Sequence, residues 1–381
     1  MFNKCCKVDI IIIGAGLSGL TLALEILKKT DKTLIILEKK KKLIKDKNWC
    51  FWNYPKNYFT NDYSKKWDYI RVNFGDQTIK KNDPKFCYLN ISSNKFYDKA
   101  SEIITKSERA KIIFNQNISR IIEKSNSVNV RSNGITYTSN LMFSSIPKQT
   151  RKKKLLQHFY GIEVEYSKNV FNKNEITLMD MNNNNKEEFQ FIYVLPFSKK
   201  KALVESTYFS KKTHEISKYK NDIKQYLDNK YKNFSYKKVF SEYGELPMYL
   251  EKNDPYSQKI IPIGLPGNWI KISSGYCFQN AFKNSEHIVD CMIKNKKIII
   301  QKKKVNLFLD EIFCVFLENY PQKTCDLFFT FFKKLSLKNI VNFLTENQSL
   351  IELFKVLIIL PKKNLFLSLL ILLKRKFKNV C

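Results

Sequence analysis

Hydrophobic and polar positions follow two rhythms along this chain. Val8 to Ile13 is apolar except for Asp9 and runs into Gly14-Ala15-Gly16-Leu17-Ser18-Gly19. Apolar residues then recur at Leu20, Leu24 and Leu27 with helical spacing. A β-rich run, Thr33 to Leu37, ends in Glu38. The order strand, turn, helix, strand predicts the opening of a doubly wound α/β sheet. A strand at Phe86 to Ile91, a helix over Asn94 to Ser107 and a meander from Lys111 to Ile146 follow, with a turn at Asn133-Gly134 and the parallel sheet resuming at Leu141 to Ile146. From His158 the rhythm is strand-like: Gly161 to Tyr166, Ile176 to Met181, Phe189 to Phe197 and Ala202 to Phe209 predict an antiparallel sheet. Asn182 to Glu188 and Ser198 to Lys201 read as loops, the second closing a hairpin. A helix near Glu215 to Asn229 and a strand toward Gly244-Glu245-Leu246-Pro247-Met248 follow. The chain is expected to rejoin the first sheet at Ile260 and to form a helix from Phe278 to Ile293. Beyond residue 300 it reads as helical, with Phe and Lys interleaved and two greasy segments, Leu357 to Leu360 and Leu365 to Leu373, split by Pro361-Lys362-Lys363.

The first unit carries its own chemistry. Gly14 permits a tight turn, Gly16 lets backbone approach a pyrophosphate, and Gly19 lets the helix pack on the strand, while the helix N-terminus offers amide donors. Glu38 lies where a carboxylate accepts hydrogen bonds from an adenosine ribose. Together they point to dinucleotide binding. Asn48-Trp49-Cys50-Phe51-Trp52 either walls the adjoining cleft or fills the core.

Composition narrows the function. The 381 residues include 67 Lys and Arg against 35 Asp and Glu, a formal charge of +32, and 44% are apolar, enough for a packed core. The excess is nearly all Lys, spread along the chain without a helix-turn-helix, zinc-finger or RNP pattern, which favours an anionic membrane surface over nucleic acid. The final helices, apolar with a basic flank at Lys374-Arg375-Lys376, suit a membrane interface. No apolar run reaches the ~18 residues of a spanning helix and no leader pattern is read, so a cytoplasmic protein peripheral on the inner membrane surface is expected. Nine cysteines without a C-x-x-C pair predict neither disulfides nor a metal cluster, and His158, His214 and His287 are read as structural.

Alternation in Leu203-Val204-Glu205-Ser206-Thr207-Tyr208-Phe209 sets Glu205 on one face with Leu203, Thr207 and Phe209. A carboxyl on an apolar face is held protonated by desolvation and can serve as a general acid. A strand-end Glu paired with one of the many lysines fits the pattern equally, and Asp180 has the same ambiguity.

The glycine start, Asn48 to Trp52, Leu178-Met179-Asp180, Phe191 to Ser198, Ala202 to Thr207, Gly244 to Met248 and Ser274-Gly275-Tyr276 occur in the order found in bacterial lycopene cyclases, which the chain resembles over nearly its whole length. The resemblance implies an α/β fold: a Rossmann-like FAD/NAD(P)-binding domain (1–75, 101–157 and 255–300), an inserted antiparallel β-sheet substrate domain (158–254) and a helical, membrane-contacting C-terminal region (301–381). It implies reduced FAD, kept so by NAD(P)H, in a cyclisation of lycopene without net redox change. Glu205 matches the family's essential acid. Gly14, Gly16, Gly19, Glu38, Gly264, Gly267, Ser274 and Gly275 would hold the cofactor, and Trp49, Trp52, Tyr193 and Tyr208 would wall the substrate pocket. Three positions depart from the family: Lys47-Asn48 stands for a frequent His-Thr, Asn268 for the second residue of a Gly-Gly, and Ser274 for Thr. Rival readings are a monooxygenase or isoprenoid reductase on the same scaffold, or a non-catalytic membrane-surface protein. The chain has no Asp-Gly, and its Gly75-Asp76 lies in the wrong half for a hydroxylase.

Overall fold

The computed structural model describes residues 5–53, 63–147, 154–181, 187–232, 234–250, 257–300 and 302–378; most of the loop expected over Asn182 to Glu188 lies outside them. In chain order the elements begin β1 (Cys5–Ile13), α1 (Leu17–Lys29), β2 (Leu34–Leu37), β3 (Asn48–Trp52), β4 (Lys65–Trp67), β5 (Tyr69–Phe74), β6 (Gln77–Asn82), β7 (Tyr88–Ser92) and α2 (Ser93–Lys106). Next come β8 (Ala110–Ile113), β9 (Ile118–Glu123), β10 (Val128–Ser132), β11 (Ile135–Ser144), β12 (Leu156–Tyr166), β13 (Glu175–Asp180), β14 (Phe189–Pro196), β15 (Lys201–Ser210), α3 (Ile216–Lys230), β16 (Tyr236–Pro247) and β17 (Ile260–Pro262). Five helices follow α4 (Phe278–Ile293): α5 (Lys304–Asn319), α6 (Pro321–Lys334), α7 (Leu337–Leu344), α8 (Leu350–Ile359) and α9 (Lys362–Lys378).

The first sheet runs β8-β2-β1-β11-β10-β9, with β17 joining β11. β1 is parallel to β2 and β11, Ile10 facing Leu34 and Leu141. Its alternation feeds two cores: Ile10 and Ile12 pack with Leu20, Ala23 and Ile26 of α1, and Ile11 and Ile13 with Val128, Val130 and Met142. The return at Ile260 is a parallel strand beside Met142 to Ser144.

The second sheet, β16-β12-β15-β14-β13-β5-β6, is antiparallel except where β5 lies parallel to β13. That pairing corrects one expectation. Residues 69–74, read with the nucleotide-binding segment 1–75, belong to this sheet, because Ile70 and Val72 bury themselves with Ile176 and Met179 in its core. β3, β7 and β4 form a small sheet of their own. α3 covers one face of the large sheet, burying Tyr219, Ile223 and Leu227 against Val204 and Tyr208. The opposite face meets α6 through Phe189, Phe191 and Phe209 packed with Leu327 and Phe329.

A buried ion pair fastens the C-terminal helices to the chain between β17 and α4: Lys271 Nζ donates to Asp310 Oδ1 at 2.6 Å, and Ser273 Oγ donates to the same oxygen at 2.8 Å. Pro361 separates α8 from α9, whose axes differ by 108°. No single helix among the described residues is long and apolar enough to cross a membrane.

Candidate active site

β12, β15 and β14 set the acid in place. Gly161 of β12 pairs with Glu205 on one side, and Tyr193 of β14 pairs with it on the other. Glu205 is 8% exposed, and Thr207 Oγ1 donates to its Oε1 at 3.0 Å. Burial, reinforced by the charge of Glu242, pushes its pKa up to about 8. Of the two readings left open by the pattern, the buried carboxyl is the one found. Asp180 is buried too but paired: Lys230 Nζ (2.5 Å), Asn73 Nδ2 (2.8 Å) and Tyr226 OH (3.1 Å) all donate to its Oδ2.

Glu205 opens into a cavity of about 580 Å³. Trp49, Trp52 and Tyr193 line it, joined by Tyr88, Phe159, Phe191 and Tyr276. Trp49 is held edge-on by Phe96 and Tyr97 at 5.5 and 5.6 Å. Tyr193 OH donates to Tyr88 OH at 3.1 Å. Tyr208 is not in the wall. The period-two rule that faces Glu205 into the cavity turns residue 208 away, and its hydroxyl donates to Asp222 Oδ2 at 2.6 Å while its ring stacks on His158.

A second carboxyl, absent from the sequence reading, lines the same cavity. Glu242 of β16 accepts from the backbone N–H of Asn48 at 2.9 Å and from Asn48 Nδ2 at 3.2 Å. Burial pushes its pKa up to about 7, while nearby Lys47 and the Asn48 donors pull the other way. Its only sequence signal is shared parity with Phe240, Gly244 and Leu246, a weak one on a strand rich in lysine. Asn48, one of the departures from the family, thus has a job here. The three histidines are structural: buried His158 bonds Tyr219 OH and Ser210 Oγ, His214 meets Glu188, and His287 meets the Ile299 carbonyl.

The glycine turn has the form of a pyrophosphate cradle. A Cβ on Gly19 would lie 2.0 Å from the Gly14 carbonyl oxygen, so only glycine lets α1 sit against the turn. A Cβ on Gly16 would meet nothing within 4 Å, which leaves its face open to a ligand. α1 has no side-chain cap at its N-terminus. Glu38 reaches the turn, its Oε2 accepting from the Ala15 N–H at 2.6 Å. Gly264 lies against Ser18, where a Cβ would come within 3.0 Å of its Oγ, and Gly267 closes on the Pro262 carbonyl at 2.5 Å by the same measure. Ser274 and Gly275 line the acid cavity, so this segment spans from the α1 turn to Glu205.

Asn268 takes φ +57°, a left-handed conformation that Asn tolerates and β-branched residues do not. The substitution for glycine therefore keeps the backbone path. Asn268→Gly is expected to be silent, whereas Asn268→Val should lower stability by ~1–2 kcal/mol in denaturant titration; equal stability of the two variants would refute the strained-turn account.

Two buried polar atoms on the cavity wall, Ser274 Oγ and Gln157 Oε1, have no hydrogen-bond partner among the described residues. Buried orphans of this kind call for a polar ligand. The donor turn, the open Gly16 face and these orphans fit FAD.

Similar proteins agree on the scaffold. The model of the family described as lycopene cyclase protein matches residues 9–370. A search of curated protein sequences gives no match. Among solved structures, a geranylgeranyl bacteriochlorophyll reductase-like protein from Thermoplasma acidophilum superposes with TM-score 0.71 at 12% identity, over 94% of this chain and 98% of that one. A flavoprotein/dehydrogenase from Cytophaga hutchinsonii gives 0.59 at 12% identity, over 89% and 92%. The halogenase PltM in complex with phloroglucinol and FAD gives 0.53 at 10% identity, over 88% and 79%. These likenesses show a shared fold, and the nearly full-length match decides the chain's lineage: it belongs to the lycopene cyclase family.

Proposed function

We propose that the protein is a lycopene β-cyclase, converting the acyclic ψ-ends of lycopene to β-ionone rings. The observation that carries this is Glu205, a buried carboxyl whose pKa burial pushes up to about 8, at the wall of a cavity rich in aromatic rings. In the proposed reaction the Glu205 carboxyl gives its proton to C2 of the terminal C1=C2 bond, leaving the cation at C1. The C5=C6 bond closes on C1, moving the charge to C5, and loss of the C6 proton leaves a C5=C6 double bond. One proton enters and one leaves, so no electrons are exchanged. The rings of Trp49, Trp52 and Tyr193 can each favour a cation by ~0.5–2 kcal/mol, and the dry walls keep water from capturing it.

Gly14, Gly16, Gly19 and Glu38 would hold FAD at the first turn, with Gly264, Gly267, Ser274 and Gly275 along its second side. FAD, reduced by NAD(P)H, would supply negative charge that favours the cationic transition state. Expression in a lycopene-accumulating bacterium with pigment analysis tests the reading. Bicyclic or monocyclic β-ring products are expected; unchanged lycopene with folded, flavin-loaded protein would overturn it. Hydrogenated pigment with matching NAD(P)H consumption would instead make the protein a reductase.

A C40 hydrocarbon reaches an enzyme from the bilayer, and we propose peripheral membrane contact through α8 and α9. Leu350, Ile351, Phe354, Phe366 and Phe377 are exposed there, with Lys362 and Lys363 at the elbow. Of the basic flank, Arg375 and Lys376 are engaged with Glu318 and Glu311, so exposed Lys374 and the elbow lysines carry the attraction to anionic lipid. Beneath these helices a second cavity of about 250 Å³ shares Ser273, Ser274, Phe328 and Leu344 with the Glu205 cavity, a route from lipid to acid. Flotation with anionic vesicles should carry wild type upward and lose most of Phe354→Asp/Phe366→Asp; equal flotation of both would refute this surface.

A further inference from the structure

The Glu205 cavity holds two buried carboxyls, Glu205 and Glu242, with exposed Glu245, which accepts from Tyr243 OH, also on its lining; β12 passes between the buried two with a glycine at the crossing. Gly161 pairs with Glu205 of β15 on one side and with Glu242 of β16 on the other. In an antiparallel sheet, residues directly paired across neighbouring strands point to the same face. Glu205, Gly161 and Glu242 therefore form one row across three strands, and both acids line the cavity. A Cβ at Gly161 would lie 3.3 Å from Glu205 Oε2 and 3.1 Å from Leu203 Cδ1. The missing side chain is what leaves room for Glu205 to lean toward its counterpart.

The two acids are held differently. Glu242 receives two hydrogen bonds from Asn48, both of which favour a carboxylate. Glu205 has the Thr207 hydroxyl, which can turn to suit either state.

We infer that Glu205 and Glu242, joined across Gly161, act as one acid pair sharing a single proton, with Glu242, held by Asn48, the more readily ionised member and Glu205 the proton carrier. This rests on Glu205 as the proton donor proposed above. When Glu242 is ionised, its charge keeps the remaining proton on Glu205. Once that proton has passed to the substrate carbon, two carboxylates border the cavity and favour the cation between ring closure and proton loss. Their mutual repulsion also makes Glu205 the natural acceptor of the C6 proton, so the pair ends with the one proton it began with.

The surrounding groups leave this arrangement intact. Lys47, ahead of β3, donates to the Tyr243 carbonyl and stands near both acids. Glu163 of β12 is neutralised by ion pairs with Lys45 and Lys201. Cys50, Tyr88 and Tyr193, facing from β3, β7 and β14, are kept neutral by burial.

Infrared titration of the flavin-loaded protein tests the inference directly. Wild type should show a protonated-carboxyl band at neutral pH that titrates away near pH 8, and Glu205→Gln should remove that high-pH component. Glu242→Gln, which keeps an acceptor for Asn48, should move that midpoint down by roughly 1 pH unit, because it removes the like charge. The alkaline limb of kcat/KM should move with it. Gly161→Ala should move it the same way by wedging the acids apart, and rescue is not expected from Glu242→Asp, which is too short to restore the contact. An unchanged or raised midpoint in Glu242→Gln overturns the pair. Because the band is read without turnover, a wild type that makes no β rings would sink the cyclase reading while the titration still judges the pair.

Discussion

Glu205→Gln is expected to reduce β-ring formation by ~10²–10⁴-fold while leaving folding and flavin content unchanged. The size is that of removing a positioned general acid. Glutamine has the same shape, can still accept from Thr207, and removes a group whose burial otherwise disfavours its charged form, so the sheet has no reason to unfold. What it lacks is a transferable proton. Pigment extracted from lycopene-accumulating cells, normalised to soluble holoprotein, gives the comparison. Substantial cyclisation by the glutamine variant would show that the proton comes from elsewhere, and Glu242 would be the next group to test. The pH profile supplies a second constraint. The acid works in its protonated form, so activity should be retained below its pKa and fall as pH rises through about 8.

A comparably large effect is expected at the glycine turn, where two alanine variants separate packing from ligand contact. Gly19→Ala forces a methyl to 2.0 Å from the Gly14 carbonyl oxygen, a backbone atom that cannot swing aside. α1 must then lift off β1, at a cost of ~1–3 kcal/mol or more, with loss of bound flavin. Gly16→Ala meets nothing in the protein itself, so the flavin-free melting temperature should match wild type. Its methyl would nevertheless occupy the face on which a pyrophosphate rests, and the purified protein should lose most of its flavin absorbance. If Gly16→Ala binds flavin as wild type does, the phosphate is not cradled at this turn. If Gly19→Ala melts as wild type does, the close approach of helix and strand is not as described.

Loss of function at either position would leave the hydrophobic access path untouched. The two cavities share Ser273, Ser274, Phe328 and Leu344, none of which belongs to the glycine turn's own core. Variants on the apolar elbow are therefore expected to separate from these in their readout, changing vesicle binding and leaving flavin content alone.

How much of the site was legible varied with the range of the interactions that build it. Glu205 could be singled out because its immediate neighbours, Leu203, Thr207 and Phe209, fix its face by strand geometry alone. The same local rule turns Tyr208 to the other face, and the structure places it against His158 and α3. Asp180 shares the apolar strand context of Glu205, yet Lys230 and Tyr226 of α3 reach it. No local pattern distinguishes the two, since the difference lies in what packs over each strand. The placement of β5 in the second sheet is of the same kind, a parallel pairing with β13 that neither segment announces.

The sequence by itself determined what depends on neighbours along the chain: the glycine turn between β1 and α1, the alternating strands, the break at Pro361, and the side of β15 on which a carboxyl falls. Tertiary structure decided which carboxyls share a cavity, because Glu242 comes to Glu205 only through two strand registers that meet at Gly161. Its reason is physical. Backbone geometry fixes direction within a few residues, whereas desolvation and charge coupling depend on distances through space, set only when distant strands close on one another.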